Sequence, residues 1–305
     1  MKLSRAIFPT LAVFALTSCF TGIESTPRID SGAVRDAGVT VSAEEALMEP
    51  VRPEPPAAWR PGKLWRVDND RIAVIFTPTG RELPPLAGRT LSLLDTENYI
   101  GMAGDTLVEL TFVSHGDTLR YRSGVTAADM ARRRSLEVPF AIELSPVTCA
   151  DSLLRGRRLF ITTPNWRDAG GQPVAGLRHV PVTVDSVSPG TAQYPLRVWF
   201  SPENGGLYSV LLTYGHGAAA TRNFDRVFAF GDPRLRYPRI TPETWELIIN
   251  SRVREGMTRD EARLALGAPA SINRTGNNAG QYERWNYDQG IYLIFEDGIL
   301  IRFRQ

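Results

Sequence analysis

Between Trp59 and Tyr214 the chain is broken into apolar stretches too short for helices. RIAVIFTP, RTLSLL, DTLVELTFV, DTLRYRSG, RRLFITTP, VPVTVDSV, YPLRVWFS and LYSVLLTYG are rich in Val, Ile, Leu, Thr, Tyr and Phe. Gly, Pro, Asn and Asp separate them, which is the punctuation of strands and turns. Several alternate polar with apolar, as in LRVWF, so the expected sheets have one wet face. A single helical candidate interrupts them, VTAADMARRRS, with Thr126 as N-cap and Asp129 at the N3 position.

A weak repeat runs through this region. LAGRTL, Leu86 to Leu91, matches LRGRRL, Leu154 to Leu159, and PGKLWRV from Pro61 is a partial third copy. A tight glycine turn entering a strand, with Arg facing water, would account for all three. A duplication of two small β barrels or sandwiches is one origin, chance the other. The expected divisions are a small β domain at 58–125, a short helical connection at 126–148, a second β domain at 149–222 and a linker at 223–239.

The last segment, 240–305, has a different texture. Thr241 caps a helix, Pro242 suits its first turn and Ile240 can staple onto Trp245. After Gly256, Met257 precedes a capping box made by Thr258 and Glu261. Ala262, Ala265 and Leu266 form an apolar stripe, Gly267 suits the C′ position and Pro269 prevents continuation. So short a helix needs a partner surface. QYERWNY, IYLIFE and ILIRFR supply it as three expected strands, the last two joined by a turn at Asp297-Gly298. Trp285 and Tyr287 share one face, as do Ile291, Leu293 and Phe295, and then Ile299, Ile301 and Phe303. RTGNNAGQYE, Arg274 to Glu283, reads as a long polar loop.

Gly256-Met257-Thr258, the short helix, Leu266-Gly267-Ala268-Pro269, the aromatic strand and Asp297-Gly298 together resemble the SmpA/OmlA (BamE-like) family of small outer-membrane lipoproteins. The resemblance implies an α-α-β-β-β unit and a role linked to outer-membrane protein assembly or envelope integrity. It covers only 240–305, and such a fold hosts many roles. The fold class expected for the whole chain is therefore α+β, a mostly antiparallel β region followed by this C-terminal unit.

The N-terminus carries Lys2 and Arg5, then AIFPTLAVFAL, a run suited to a signal peptide and too short to span a bilayer. It ends in LTSC, Leu16 to Cys19, which resembles the lipobox of bacterial lipoproteins. That implies removal of 1–18, lipidation of Cys19 and a membrane partner reached through two or three acyl chains. Residues 19–57, rich in Pro, Ser, Ala, Glu and Thr, read as a flexible tether. With Phe20, not an acidic residue, directly after Cys19, resemblance to enterobacterial sorting favours the outer membrane, at its periplasmic face or the cell surface. Cys149 then has no intrachain partner and reads as a buried thiol.

The formal charge of +2 includes Lys2 and Arg5, and basic residues are not clustered with aromatics, so nucleic acid is not an expected partner. Gly-x-Ser-x-Gly and Walker patterns do not occur, and His115, His179 and His216 lie far apart in sequence, so neither catalytic residues, metal ligands nor a cofactor are assigned. Glu97, Asp105 and Glu109 are the weak candidates for a carboxylate pair. The leading expectation is a non-enzymatic envelope lipoprotein that recruits a protein partner. The alternatives are a binding module for glycan, peptide or lipid, its pocket lined by Trp59, Trp65, Trp166 or Trp199, and, behind it, a hydrolase.

Overall fold

The computed structural model describes residues 42–77, 83–214, 222–277 and 280–305; the expected signal peptide, Cys19, most of the tether and His216 lie outside them. Within Val41–Gln305 the chain forms one unit. Among the described residues every strand pairing is antiparallel, and three open sheets replace the barrels considered from sequence. No described helix is long and apolar enough to cross a membrane.

Folded structure begins earlier than composition suggested. Helix α1, Ala43–Met48, opens on a capping box between Ser42 and Glu45. Met48 and Val51 are buried in the core of the second sheet, and Glu44 accepts a hydrogen bond from the Phe230 amide at 3.0 Å. The tether assigned to 19–57 is thus packed from about residue 42 onward, because a few apolar residues in a polar segment suffice to dock it.

The first sheet contains β1 (Leu64–Val67), β2 (Phe76–Thr77), β3 (Thr90–Ile100), β4 (Thr106–Ser114), β5 (Asp117–Thr126) and β6 (Ala141–Glu143), in the order β2-β5-β4-β3-β1-β6. Its core gathers Trp59, Trp65, Leu91, Leu110 and Phe112, with Trp65 edge-on to both Trp59 and Phe112. Helix α2, Ala127–Arg132, begins where Thr126 accepts from the Asp129 amide.

Helix α3, Leu144–Leu154, follows β6 directly, so the boundary expected at 149 falls inside a helix. It lays Val147, Ala150 and Leu154 on the second sheet. That sheet comprises β7 (Arg158–Ile161), β8 (Asn165–Arg167), β9 (Pro173–Ala175), β10 (Val180–Pro189), β11 (Leu196–Pro202), β12 (Tyr208–Leu212) and, after helix α4 (Phe224–Val227), β13 (Phe228–Ala229). The order is β13-β7-β10-β11-β12-β8-β9. Phe224, Val227 and Phe228 are buried in its core, so the segment read as a linker is an edge of the sheet.

The repeat has a structural counterpart. Gly62, Gly88 and Gly156 all have positive φ (92°, 75° and 75°), the third residue of a tight turn that only glycine enters freely. Each turn clasps one strand residue through two hydrogen bonds. Leu93 is held by Gly62 and Lys63, Val67 by Gly88 and Arg89, and Val184 by Gly156 and Arg157. The two sheets nevertheless have different strand orders, so the likeness is local.

After helix α5 (Pro233–Arg236), the C-terminal unit has helices α6 (Pro242–Ile249) and α7 (Arg259–Leu266), then β14 (Ser271–Asn277), β15 (Gly280–Asn286), β16 (Tyr292–Glu296) and β17 (Ile299–Arg304). Four strands, not three, follow the helices. The stretch read as a polar loop is largely the β14–β15 hairpin, in which Arg274 pairs with Glu283. Its Asn and Gly content disguised a strand that presents Ser271, Asn273 and Thr275 away from the core. Trp245, Ile248, Met257, Ala262 and Ala265 pack on Trp285, Leu293, Phe295 and Leu300. A bulge between Ile294 and Phe295 shifts the last strand, so Leu300 points inward and Ile299 and Ile301 are exposed, contrary to simple alternation.

Candidate functional site

The motif residues of the C-terminal unit act on its architecture. Thr258 and Glu261 form the reciprocal capping box. Gly256 and Gly267 adopt positive φ at the two ends of α7, and Asp297 and Gly298 both do so at the β16–β17 turn, as a tight hairpin of this type requires. Tyr287 donates from its hydroxyl to the Gly267 carbonyl at 3.2 Å, and burial pushes its pKa up to about 12. Leu266 and Pro269 bracket that glycine. Met257 and Trp285 are fully inside.

Beside Trp285 lies a residue that sequence reading passed over. Glu283 is buried, accepts from the Trp285 indole at 2.9 Å and pairs with Arg259 and Arg274, each at 3.2 Å. Burial raises its pKa, but the indole and the two guanidinia outweigh it and the net shift is downward. Strict alternation in QYERWNY already placed Glu283 on the Trp285 face.

Glu97 and Glu109 do meet, as direct cross-strand partners on β3 and β4. Arg122 lies opposite Glu109 on β5, donates to it at 3.1 Å and stands 4.8 Å over the Tyr99 ring. Glu109 is therefore held in an ion pair across the sheet, and Asp105 sits apart in the β3–β4 turn. The four tryptophans do not line one pocket. Trp59 and Trp65 are in the first core, Trp166 packs on Phe200 and Tyr208, and Trp199 donates to Ser188. Among the described residues no cluster of three or more His, Cys, Asp or Glu is arranged to hold a metal. His115 occupies the β4–β5 turn with positive φ, and His179 is buried.

Cys149 is only half-buried, a departure from the expected buried thiol. With Ser145, Thr148 and Ser152 it forms one side of α3 along an open groove of about 600 Å³. At one end of the groove Lys63, the only lysine beyond Lys2, is almost wholly buried. Its ammonium donates to Glu54 at 2.6 Å, Glu143 at 2.7 Å and Ser145 at 2.9 Å, and lies 5.5 Å from the Trp65 ring centre. Three donors meet three acceptors, so this charge is compensated.

A second charged region is not compensated in this way. Where the second sheet meets the C-terminal unit, Leu177–His179 wedge against α6 and α7. Arg178 donates to the Thr162 and Leu266 carbonyls and to the Ser251 hydroxyl, and its own amide donates to Ile249. The His179 ring contacts the Leu264 carbonyl at 3.1 Å and meets Trp245 edge-on. Beside this joint opens a groove of about 630 Å³ lined by Trp166, Arg167, Arg222, Asn250 and Ser251. A smaller recess of about 270 Å³, sharing Asn165 and Arg222 with it, reaches Arg178 and Arg226.

No protein-family model matches the chain, and comparison with curated proteins and with solved structures returns no match either.

Proposed function

We propose that this chain is a lipid-anchored, non-enzymatic protein of the cell envelope that recruits a protein partner, with its anchor at Cys19 and its docking surface on the C-terminal unit. The observation that carries the reading is the face of the β14–β17 sheet opposite the helices. Across it run, in register, Asn273, Arg284, Ile294 and Arg302, flanked by Tyr292 with Arg304 and by Glu296 with Ile299. Arg284 stacks 4.7 Å over the Tyr292 ring. Arginine and tyrosine around an aliphatic centre is the composition that dominates binding energy in protein interfaces. The resemblance of the same unit to the SmpA/OmlA family supports a part in outer-membrane protein assembly or envelope integrity. The LTSC sequence supports lipidation of Cys19, and Phe20 in place of an acidic residue directly after it supports the outer membrane.

Two measurements test this. Photo-crosslinkers at Ile294 and Arg302 in intact cells are expected to trap a defined envelope protein, and deletion of 240–305 to abolish its capture while leaving membrane attachment intact. An unchanged capture profile after deletion overturns the docking role. Cys19→Ser is expected to release the protein from membrane fractions; a variant that stays lipid-labelled there overturns the anchor.

A further inference from the structure

We propose that the groove between the β8–β9 hairpin, Arg222 and the end of α6 is a binding site for a phosphate monoester, with Arg167 and Arg222 as its anion-contacting residues. This site lies on a different element from the docking face above and stands independently of it.

The argument begins with charge. None of the described residues lining the groove or its recess is a carboxylate, while Arg167, Arg222 and Arg178 each line one or the other. Several arginines elsewhere stand beside acids, as Arg155 does to Asp151, Arg158 to Glu203 and Arg259 to Glu283, while others, such as Arg157 and Arg284, have neutral partners on the open surface. Here the partners are neutral. Arg167 donates to the Gly171 carbonyl at 2.7 Å, Arg222 lies 4.6 Å over the Tyr194 ring and Arg178 uses carbonyls and a hydroxyl. Burial holds the Arg178 pKa down to about 10. Two guanidinia on walls that hold no acid are complementary to a multiply charged oxyanion.

Geometry narrows the ligand class. A planar guanidinium offers paired N–H donors that match phosphate oxygens, and two of them suit a dianion better than a single carboxylate. Asn165, Asn250 and Ser251 add uncharged donors on the same walls. Trp166, Pro164 and Val174 supply an apolar wall for the organic part of the ester, and Trp166 is fixed by its indole donating to the Thr163 carbonyl at 2.8 Å. The phosphate belongs either to a small soluble ester or to a lipid headgroup.

Calorimetry on the purified acylated protein in detergent, with inorganic phosphate and glucose 1-phosphate, addresses the soluble source. Flotation of the Cys19→Ser protein, which lacks the anchor, with vesicles of phosphatidylcholine, alone or with phosphatidic acid, addresses the lipid source. Saturable binding is expected that weakens about tenfold in Arg167→Gln and in Arg222→Gln, whose thermal midpoints stay unchanged, but not in Arg284→Gln on the far sheet. Binding of glucose 1-phosphate identifies a soluble ester, and retention by phosphatidic acid vesicles alone identifies a headgroup. Absence of binding to every probe overturns the proposal. So does binding that Arg284→Gln weakens as much as Arg167→Gln, or that neither groove variant alters.

Discussion

Arg178 donates from Nη2 to the carbonyl of Leu266, 3.3 Å away, and so caps the last turn of α7 from a loop of the neighbouring sheet. Cations at helix C-termini satisfy orphan carbonyls and oppose the helix dipole. The same side chain holds Ser251 and the Thr162 carbonyl, making it the polar centre of the joint. Arg178→Met is expected to cost about 3 kcal/mol, since three acceptors lose their donor at once. Hydrogen exchange localises the effect: protection should fall first across 242–249 and 259–266 while β10 and β11 stay protected. Uniform loss over the whole chain would show that the joint is not a separable contact.

His179 makes that joint sensitive to acid. Burial lowers its pKa below the ordinary 6.5, opposed by the Leu264 carbonyl and reinforced by Arg178, and its Nδ1 is buried without a partner. The unfolded chain therefore binds a proton that the folded chain refuses. Stability is full above about pH 6.5 and declines as pH falls from there towards the depressed folded value, below which the slope vanishes. Urea midpoints at steps between pH 7.5 and 5 should drop for the parent protein and drop less for His179→Gln. Glu283 does not confuse the window, because its own pKa is lowered from 4.5 and its contribution is lost only at lower pH.

Much of the C-terminal unit was legible because its signals are local. A capping box, a glycine at a helix end and an Asp-Gly turn each act through neighbours in sequence; Thr258 and Gly298 behave as their positions require, and Gly267 takes a positive φ as the C-cap itself, one residue earlier than the C′ position expected. What was illegible depends on distant partners. Nothing near Arg274 announces that Glu283 will receive it across a hairpin, and nothing in LRH around Arg178 shows that a helix will end against it. The arginine groove is similarly assembled from the β8 hairpin, residue 222 and the end of α6, which are far apart in sequence. Alternation failed at Ile301 because one bulge inverts the faces that follow.

Lys63 tests whether its ammonium is matched to its cage. Glu143 beside it is as buried as the lysine itself, so Lys63→Met strands a buried carboxylate and is expected to cost about 3–5 kcal/mol. Lys63→Arg keeps the charge but replaces a tetrahedral head with a planar fork that is too broad for three converging acceptors. It should lose a substantial part of that stability, read as a lowered thermal midpoint. A Lys63→Arg protein as stable as the parent would show that charge alone suffices there.

Gly176 controls the wall of the arginine groove. A Cβ built on it would lie 2.0 Å from the Trp166 ring, closer than any real contact, so the backbone at 176 and the indole are stacked without clearance. Gly176→Ala must push Trp166 out of its place between Phe200 and Tyr208, whose ring centres are 5.1 and 5.2 Å away. Overpacking of this kind costs about 1–3 kcal/mol. Because the displaced indole moves into the groove, phosphate-ester binding should weaken even though no arginine is changed. Gly176→Ser should do the same, while Gly231→Ala, where the backbone is ordinary and the space open, should leave binding intact. If Gly176→Ala binds like the parent and its tryptophan emission is unshifted, Trp166 does not form the wall assigned to it.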